Sequence, residues 1–215
     1  MPKEVYIFSG LGADELVFKL IDFSDLSVTH VKWISPQKNE TIEQYAARLL
    51  LQIQTPNPIL VGLSFGGIMA IEVGKLIRTE KIILLATAKT FDEVPVYYRF
   101  LGKLRIHHLL PMTILKSSNF LTYWFFGLKS RADKKLLKQI LVDTDALFLR
   151  WAIGRIVNWK NTELPQNAYH IHGDCDRILP LKFTNSNLII KNGGHLMVLT
   201  HSEELSLAIR KELID

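Results

Sequence analysis

The sequence predicts an α/β fold in which a mostly parallel, six-stranded sheet carries helices on both faces. Short apolar runs rich in β-branched residues alternate with helical patterns along the 215-residue chain. Several of the strand runs are continuously apolar, which is typical of parallel strands that are buried on both faces. Residues 88–165 interrupt this alternation with helical patterns alone, and the stretch is too long for a structureless loop. We therefore expect a single domain over residues 1–215 that contains residues 88–165 as a helical cap insertion.

Each element is predicted from its local pattern. Short runs of four to seven residues, rich in β-branched and other apolar side chains, predict strands over 5–8, 28–34, 58–63, 82–86, 168–172 and 187–190. Apolar residues at helical spacing predict helices over 13–20, 41–54, 65–77 and about 201–213. Thr41 stands at the N-terminal cap of its helix, and Thr200 with Glu203 fits a capping box before the last helix.

The composition is that of an ordinary globular protein, with 48% hydrophobic and 22% charged residues. No apolar run approaches the roughly 20 residues that a membrane-spanning helix needs. The first predicted strand begins at Val5, which leaves no room for a signal peptide, so we expect a cytoplasmic protein. Cys175 is the only cysteine, which excludes an internal disulfide and a cysteine-cluster metal site. We expect no metal and no cofactor.

Positive charge is concentrated in the predicted insertion. The whole chain has a net charge of +5, and residues 88–160 carry thirteen Lys and Arg against five Asp and Glu. Such a segment could meet an anionic substrate, nucleic acid or a membrane surface, but a solvated helical face is the interpretation we prefer. We expect a small-molecule substrate and no nucleic acid, with contact to a membrane surface as the less favoured alternative.

The motif Gly62-Leu63-Ser64-Phe65-Gly66 carries the strongest functional signal. A Gly-x-Ser-x-Gly motif alone is weak, because a glycine-rich turn with an incidental serine has the same pattern. Here a predicted strand precedes the serine directly and a predicted helix follows it. A nucleophile elbow needs this strand–turn–helix setting, since its serine sits on a strained turn. The context therefore predicts that Ser64 is a nucleophile.

The order of the polar motifs resembles that of the α/β-hydrolase family, and the resemblance covers nearly the whole chain. The catalytic triad of that family runs serine, acid, histidine. Ser64 matches the first position, an aspartate in the segment 173–180 matches the second, and His195 of Gly193-Gly194-His195 matches the third. The resemblance implies a serine hydrolase in which His195 is the base and an aspartate orients it.

Two of these assignments have competitors. Only His195 lies on a glycine-flanked loop at the expected place in the chain, and the competing histidines are His30, His107, His108, His170, His172 and His201. Asp174 and Asp176 both follow the fifth strand. Family members commonly show Gly-x-x-Asp-x-x-[Val/Ile/Leu]-Pro, which selects Asp176 and leaves Asp174 as a turn residue.

The oxyanion hole of the family is formed by two backbone N–H groups. The resemblance assigns these to Phe65, directly after the nucleophile, and to Leu11, in the loop after the first strand. The family usually carries His-Gly in that loop, whereas this chain has Ser9-Gly10, which keeps the backbone donor but lacks the histidine. Two elements usual in the family are also missing or reduced: its opening strand pair, and the helix between the last two strands, of which residues 181–186 remain.

The insertion holds twelve of the 21 aromatic residues. Most should pack the insertion against the core, but the excess indicates an apolar substrate pocket, for which Trp124 and Phe125 are the candidates. The predicted reaction is hydrolysis of a carboxylic ester or thioester through a Ser64 acyl-enzyme. A C–C bond hydrolase or lyase could use the same triad, and a binding protein could retain the triad without turnover.

Two other interpretations of the sequence are disfavoured: a dinucleotide-binding site and a cysteine nucleophile. Gly10-x-Gly12 imitates part of a dinucleotide-binding fingerprint, but Glu15 occupies the third glycine position. Cys175 lies between two aspartates, which disfavour a thiolate and make it a poor nucleophile.

Overall fold

A six-stranded, fully parallel sheet forms the centre of the protein. The structure is a computed structural model that describes residues 3–104 and 111–214. The sheet has the order β2-β1-β3-β4-β5-β6, and every neighbouring pair is parallel. The predicted fold class is confirmed. The strands are β1 (Glu4–Phe8), β2 (Ser27–His30), β3 (Ile59–Leu63), β4 (Lys81–Leu85), β5 (Ala168–Gly173) and β6 (Leu188–Ile190).

Helices connect the strands. Thr41 caps the first helix as predicted, and it forms a reciprocal capping box with Gln44. A run of helices occupies the chain between β4 and β5, where the insertion is predicted. The helices are α1 (Ile42–Leu49), α2 (Phe65–Gly74), α3 (Val96–Lys103), α4 (Met112–Leu115), α5 (Phe120–Phe126), α6 (Arg131–Asp143), α7 (Ala146–Val157), α8 (Met197–Thr200) and α9 (Ser202–Ile214).

Side chains alternate between the two faces of each strand, so the sheet has a core on both faces. One core packs Val5 and Ile7 of β1 against the C-terminal helices and α6. The other packs Tyr6 and Phe8 of the same strand against α1, α2 and α7. The helices predicted on both faces are therefore confirmed.

Several predicted boundaries are wrong. The helical pattern at 13–20 forms only a 3₁₀ turn over Glu15–Phe18. β2 ends at His30, four residues before the predicted residue 34. The N–H of Val31 still donates to Ile7 O of β1, and beyond it the N–H of Ile34 bonds to the Tyr45 hydroxyl. The capping box at Thr200 does not form. Thr200 ends α8 instead, and its hydroxyl bonds to the ring of His201.

The helices between β4 and β5 contribute to the core as well as to the surface. Leu137 and Ile140 of α6 are buried on one face of the sheet, and Phe148 and Ala152 of α7 are buried on the other. Within residues 3–104 and 111–214, no helix is long and apolar enough to cross a membrane. His107 and His108 of the predicted insertion lie outside the described residues.

Candidate active site

Ser64 occupies a strained turn between β3 and α2. Its backbone has φ 54° and ψ −119°, a conformation that residues with a Cβ rarely adopt. Two hydrogen bonds hold the turn: the N–H of Ser64 donates to Leu85 O at 2.9 Å, and the buried hydroxyl of Thr87 donates to Ser64 O at 2.7 Å. The sharp turn leaves the Ser64 side chain partly exposed at the carboxyl end of the sheet.

Glycines permit the tight packing of this turn. A Cβ on Gly62 would lie 2.4 Å from Gly66 O, and a Cβ on Gly66 would lie 2.1 Å from Phe8 O. Real Cβ atoms do not approach backbone oxygens so closely, so only glycine allows the start of α2 to pack against β1 and β3. The two glycines of the motif therefore serve the geometry that presents Ser64.

The loops after β5 and β6 are held together by backbone contacts. A Cβ on Gly173 would lie 2.2 Å from Gly193 O, so the two loops are in direct backbone contact. The N–H of Cys175 donates to Gly193 O at 2.9 Å, and the N–H of Asp174 donates to Ile190 O at 3.2 Å. Parallel strands end at the same edge of a sheet, and these bonds bring the acid-bearing and histidine-bearing loops together there.

Three predicted residues form one hydrogen-bonded series. His195 Nε2 lies 2.9 Å from Ser64 Oγ, and His195 Nδ1 lies 2.7 Å from Asp176 Oδ2. A carboxylate can only accept, so Nδ1 carries the proton and Nε2 is free to accept from the hydroxyl. His195 and Asp176 are buried, each with 3% of its surface exposed. The series therefore runs from a partly exposed hydroxyl to a buried carboxylate.

Asp176 is stabilised as a carboxylate. Burial alone would raise its pKa, but His195 and the N–H of Leu179 outweigh burial and hold the pKa below its usual value. Its second oxygen, Oδ1, accepts hydrogen bonds from the N–H groups of Ile178 at 2.8 Å and Leu179 at 2.9 Å. Asp176 can thus orient the imidazole and stabilise an imidazolium.

The competing residues lie elsewhere. Asp174 is exposed, and its carboxylate accepts the N–H of Asn192 at 2.6 Å as part of the turn. Cys175 is exposed, and a hydrogen bond with Asp174 raises the pKa of its thiol, which disfavours the nucleophilic thiolate. Among the described histidines, His195 is the one bonded to Ser64: His30, His170 and His172 lie in strands, with His172 beside Asp176, and His201 bonds to Thr200.

The two predicted oxyanion donors lie in the expected segments. Among the described residues, the N–H groups of Phe65 and Leu11 have no acceptor. The loop that carries Leu11 is held by two bonds: Ser9 Oγ donates to Asp14 O at 3.0 Å, and Trp33 Nε1 donates to Gly10 O at 3.3 Å. These bonds hold the loop in a chain that lacks the histidine usual at position 9.

Comparison with solved structures identifies the architecture. A hydrolase from Oleispira antarctica superposes with a TM-score of 0.73 at 15% identity, covering 100% of this chain and 92% of that one. A thermophilic esterase from Thermogutta terrifontis gives 0.70 at 18% identity, covering 99% and 90%. A bromoperoxidase from Bacillus anthracis gives 0.70 at 17%, covering 100% and 93%. No protein-family model matches the sequence, and no curated protein matches it significantly.

This chain has the α/β-hydrolase fold. It is a trimmed version of that fold, since only a 3₁₀ turn over Leu181–Phe183 lies between β5 and β6, as the sequence predicts.

Three further residues support the site of this α/β-hydrolase fold. Thr87 holds the nucleophile turn, the Trp33 ring centroid lies 5.3 Å from that of Phe65, and the Phe126 ring meets His195 edge-on at 5.7 Å. Thr87 follows β4 by two residues and Trp33 follows β2 by three, so the rule that sites lie at the carboxyl ends of strands could have indicated both. Phe126 has no comparable sequence signal.

Trp124 and Phe125, the predicted pocket residues, are 46% and 42% exposed. Their rings pack against each other at 5.1 Å, and the guanidinium of Arg177 lies 4.3 Å from the Trp124 ring centroid. The ring of α5 that contacts the triad is that of Phe126 instead. A pocket role for Trp124 and Phe125 stays a prediction.

A cavity of about 480 Å³ adjoins the oxyanion loop. Ser9 and Gly12 of that loop line it, together with Trp33 and Phe148, but Ser64 and His195 do not. The Phe65 ring packs against both Trp33 and Phe148, so the residue after the nucleophile is in contact with two residues that line the cavity.

Proposed function

We propose that the protein is a serine hydrolase that cleaves a carboxylic ester or thioester through a Ser64 acyl-enzyme. The observation that carries the proposal is the hydrogen-bonded series Ser64–His195–Asp176, with contacts of 2.9 and 2.7 Å, at a strained strand–helix turn. A free serine hydroxyl is a weak nucleophile at neutral pH, and an adjacent oriented imidazole is the means by which enzymes activate it.

The proposed acylation follows from the positions of the protons. His195 Nε2 takes the proton of the Ser64 hydroxyl as Oγ attacks the substrate carbonyl carbon. The N–H groups of Phe65 and Leu11 stabilise the negative oxygen of the tetrahedral intermediate, while Asp176 stabilises the imidazolium. The imidazolium then protonates the departing alcohol or thiol, and the acyl group remains on Oγ. In deacylation, His195 Nε2 takes a proton from a water molecule as the water oxygen attacks the acyl carbon. The imidazolium then returns that proton to Ser64 Oγ, and the carboxylic acid leaves.

Similar structures favour the ester class. Their names include an esterase from Thermogutta terrifontis and a lipase–esterase related protein from Clostridium acetobutylicum. The bromoperoxidase from Bacillus anthracis has the same fold, so fold alone does not decide the reaction. A serine at the elbow, next to an oriented histidine, favours acyl transfer.

The inserted helices are proposed as a cap that supplies part of the substrate-binding wall. Phe126 at the end of α5 supports this, because its ring contacts His195. An apolar acyl chain or alcohol would fit such a wall. The single-domain organisation and the cytoplasmic location stay predictions.

A fluorophosphonate probe tests the proposal without knowledge of the substrate. Wild-type protein should form a covalent adduct on the peptide that contains Ser64. Ser64→Ala should abolish the adduct, whereas Ser24→Ala, an exposed loop serine, should label like wild type. Circular dichroism should show both variants folded. An unlabelled wild type, or equal labelling of Ser64→Ala, contradicts the proposal.

Turnover of a panel of chromogenic esters and one thioester completes the test. Hydrolysis that Ser64→Ala abolishes supports the enzyme. Labelling without turnover of any member supports a binding protein that has retained the triad.

A further inference from the structure

Two fully buried histidines extend the series behind Asp176. His170 and His172 lie two residues apart in β5, so their side chains share one face of the sheet. His172 Nδ1 lies 3.2 Å from His170 Nε2, and His172 Nε2 lies 2.8 Å from Leu179 O. His172 Nε2 is also 3.5 Å from Asp176 Oδ2, the oxygen that contacts His195. The proposed acylation chemistry uses neither histidine.

The acceptors in this arrangement determine where the protons lie. Leu179 O can only accept, so His172 Nε2 must carry a proton. A neutral His172 then has a bare Nδ1, which must accept from a proton on His170 Nε2. That leaves His170 Nδ1 without a proton; among the described residues it makes no hydrogen bond of regular geometry, although the backbone of Asn185 lies close enough to oppose part of the lowering of the His170 pKa. A lone buried acceptor is tolerated more readily than a lone buried N–H.

Both rings are neutral in this arrangement. Burial lowers the pKa of His170 to about 3 and lowers that of His172, although Asp176 and the carbonyl of Leu179 partly oppose the shift for His172. The other titratable groups near the pair are His195, whose charged form would lower the pKa of His172 further, and Lys89 and Glu93, which form an ion pair with each other at 3.4 Å.

Leu179 connects His172 to the acid. Its N–H donates to Asp176 Oδ1 at 2.9 Å, while its own carbonyl accepts from His172 at 2.8 Å. The loop from Asp176 to Leu179 is therefore closed by the bond between its two ends. The imidazole of His172 then anchors it to β5 through Leu179 O.

We propose that His172, supported by His170, is a positioning residue that holds Asp176 against His195. This inference rests on the proposed function, because it concerns the same triad. His172 touches neither Ser64 nor the reacting atoms; it acts by fixing the acid loop. Loss of the His172 side chain should lower the reactivity of Ser64 even in protein that remains folded.

Three substitutions at one position separate positioning from packing. The amide nitrogen of Gln can reach the place of Nε2 and keep the donor to Leu179 O, whereas the shorter Asn cannot, and Phe has no donor. The second-order rate constant for fluorophosphonate labelling of Ser64 measures the reactivity of the site. His172→Phe and His172→Asn should label roughly tenfold more slowly, the rate equivalent of one lost buried hydrogen bond. His172→Gln should stay within about twofold of wild type.

The comparison of Gln with Asn remains decisive even if the Phe variant does not fold. His170→Leu removes the donor to His172 Nδ1 but leaves His172 in place, so it should label at an intermediate rate. Thermal unfolding should show that each compared variant is folded. Equal labelling of the folded Gln and Asn variants overturns the inference, as does wild-type reactivity in His172→Phe. These outcomes differ from failure of the proposed function, in which wild-type protein itself is not labelled at Ser64.

Discussion

Replacing Asp176 with asparagine should reverse the direction of the hydrogen bond to His195. Asp176 Oδ1 accepts two backbone N–H groups, those of Ile178 at 2.8 Å and Leu179 at 2.9 Å. An asparagine must therefore place its oxygen there, because its amide nitrogen cannot accept. The amide nitrogen then takes the place of Oδ2 and donates to His195 Nδ1. The imidazole must respond with its proton on Nε2.

The consequence for catalysis follows from that proton. An Nε2 that carries a proton cannot accept from the Ser64 hydroxyl 2.9 Å away, so the base is lost while the geometry is preserved. The equivalent change in another Ser-His-Asp triad lowers kcat by about 10⁴. A factor of that size corresponds to about 5.5 kcal/mol in the activation free energy. We expect a loss of this order in ester hydrolysis and in fluorophosphonate labelling.

Asp174→Asn provides the matched control, since Asp174 is exposed and its partners are the N–H of Asn192 and the exposed thiol of Cys175, not His195. It should retain activity within about a factor of two, because surface changes of this kind usually cost less than about 0.5 kcal/mol. Hydrolysis rates, labelling rates and thermal unfolding would be measured for both variants. A larger loss for Asp174→Asn, or a loss below tenfold for folded Asp176→Asn, would refute this reasoning.

Two other predictions concern the pocket and the pH dependence of stability. If Trp124 and Phe125 line an acyl pocket, their Ala variants should lose more kcat/KM on octanoate esters than on acetate esters. The loss should be up to about 0.8 kcal/mol, or fourfold, for each CH₂ that is no longer buried. An equal loss on both esters contradicts the pocket. Burial lowers the pKa of His170 from 6.5 to about 3, so the unfolded chain binds a proton that the folded chain does not. Stability should be highest above the unfolded pKa and fall as the pH drops toward 3, with His170 contributing about 1.4 kcal/mol per pH unit. For His170→Leu, the free energy of unfolding measured with urea at several pH values should change less steeply with pH, by about 1.4 kcal/mol per pH unit. An unchanged pH dependence contradicts a neutral buried ring.

The parts of the site that could be predicted depend on local geometry. Ser64 could be predicted because a strand, a turn and a helix are consecutive in the chain, and the glycines that permit the turn are adjacent to the serine. His195 could be predicted because it alone lies on a glycine-flanked loop in the right order. The choice of Asp176 over Asp174 needed the resemblance to a known family, since either aspartate fits the local pattern.

The sequence by itself determined the class of fold, the six strands and the nucleophile turn, because apolar periodicity and local turn chemistry act over a few residues. Only the tertiary structure shows which carboxylate meets His195: Asp176 Oδ2 lies 2.7 Å from its Nδ1, whereas Asp174 bonds to the N–H of Asn192. It also decided that Phe126, rather than its aromatic neighbours, contacts His195. Such contacts join residues that are far apart in the chain. They depend on how loops and helices are packed against one another, which no local pattern encodes.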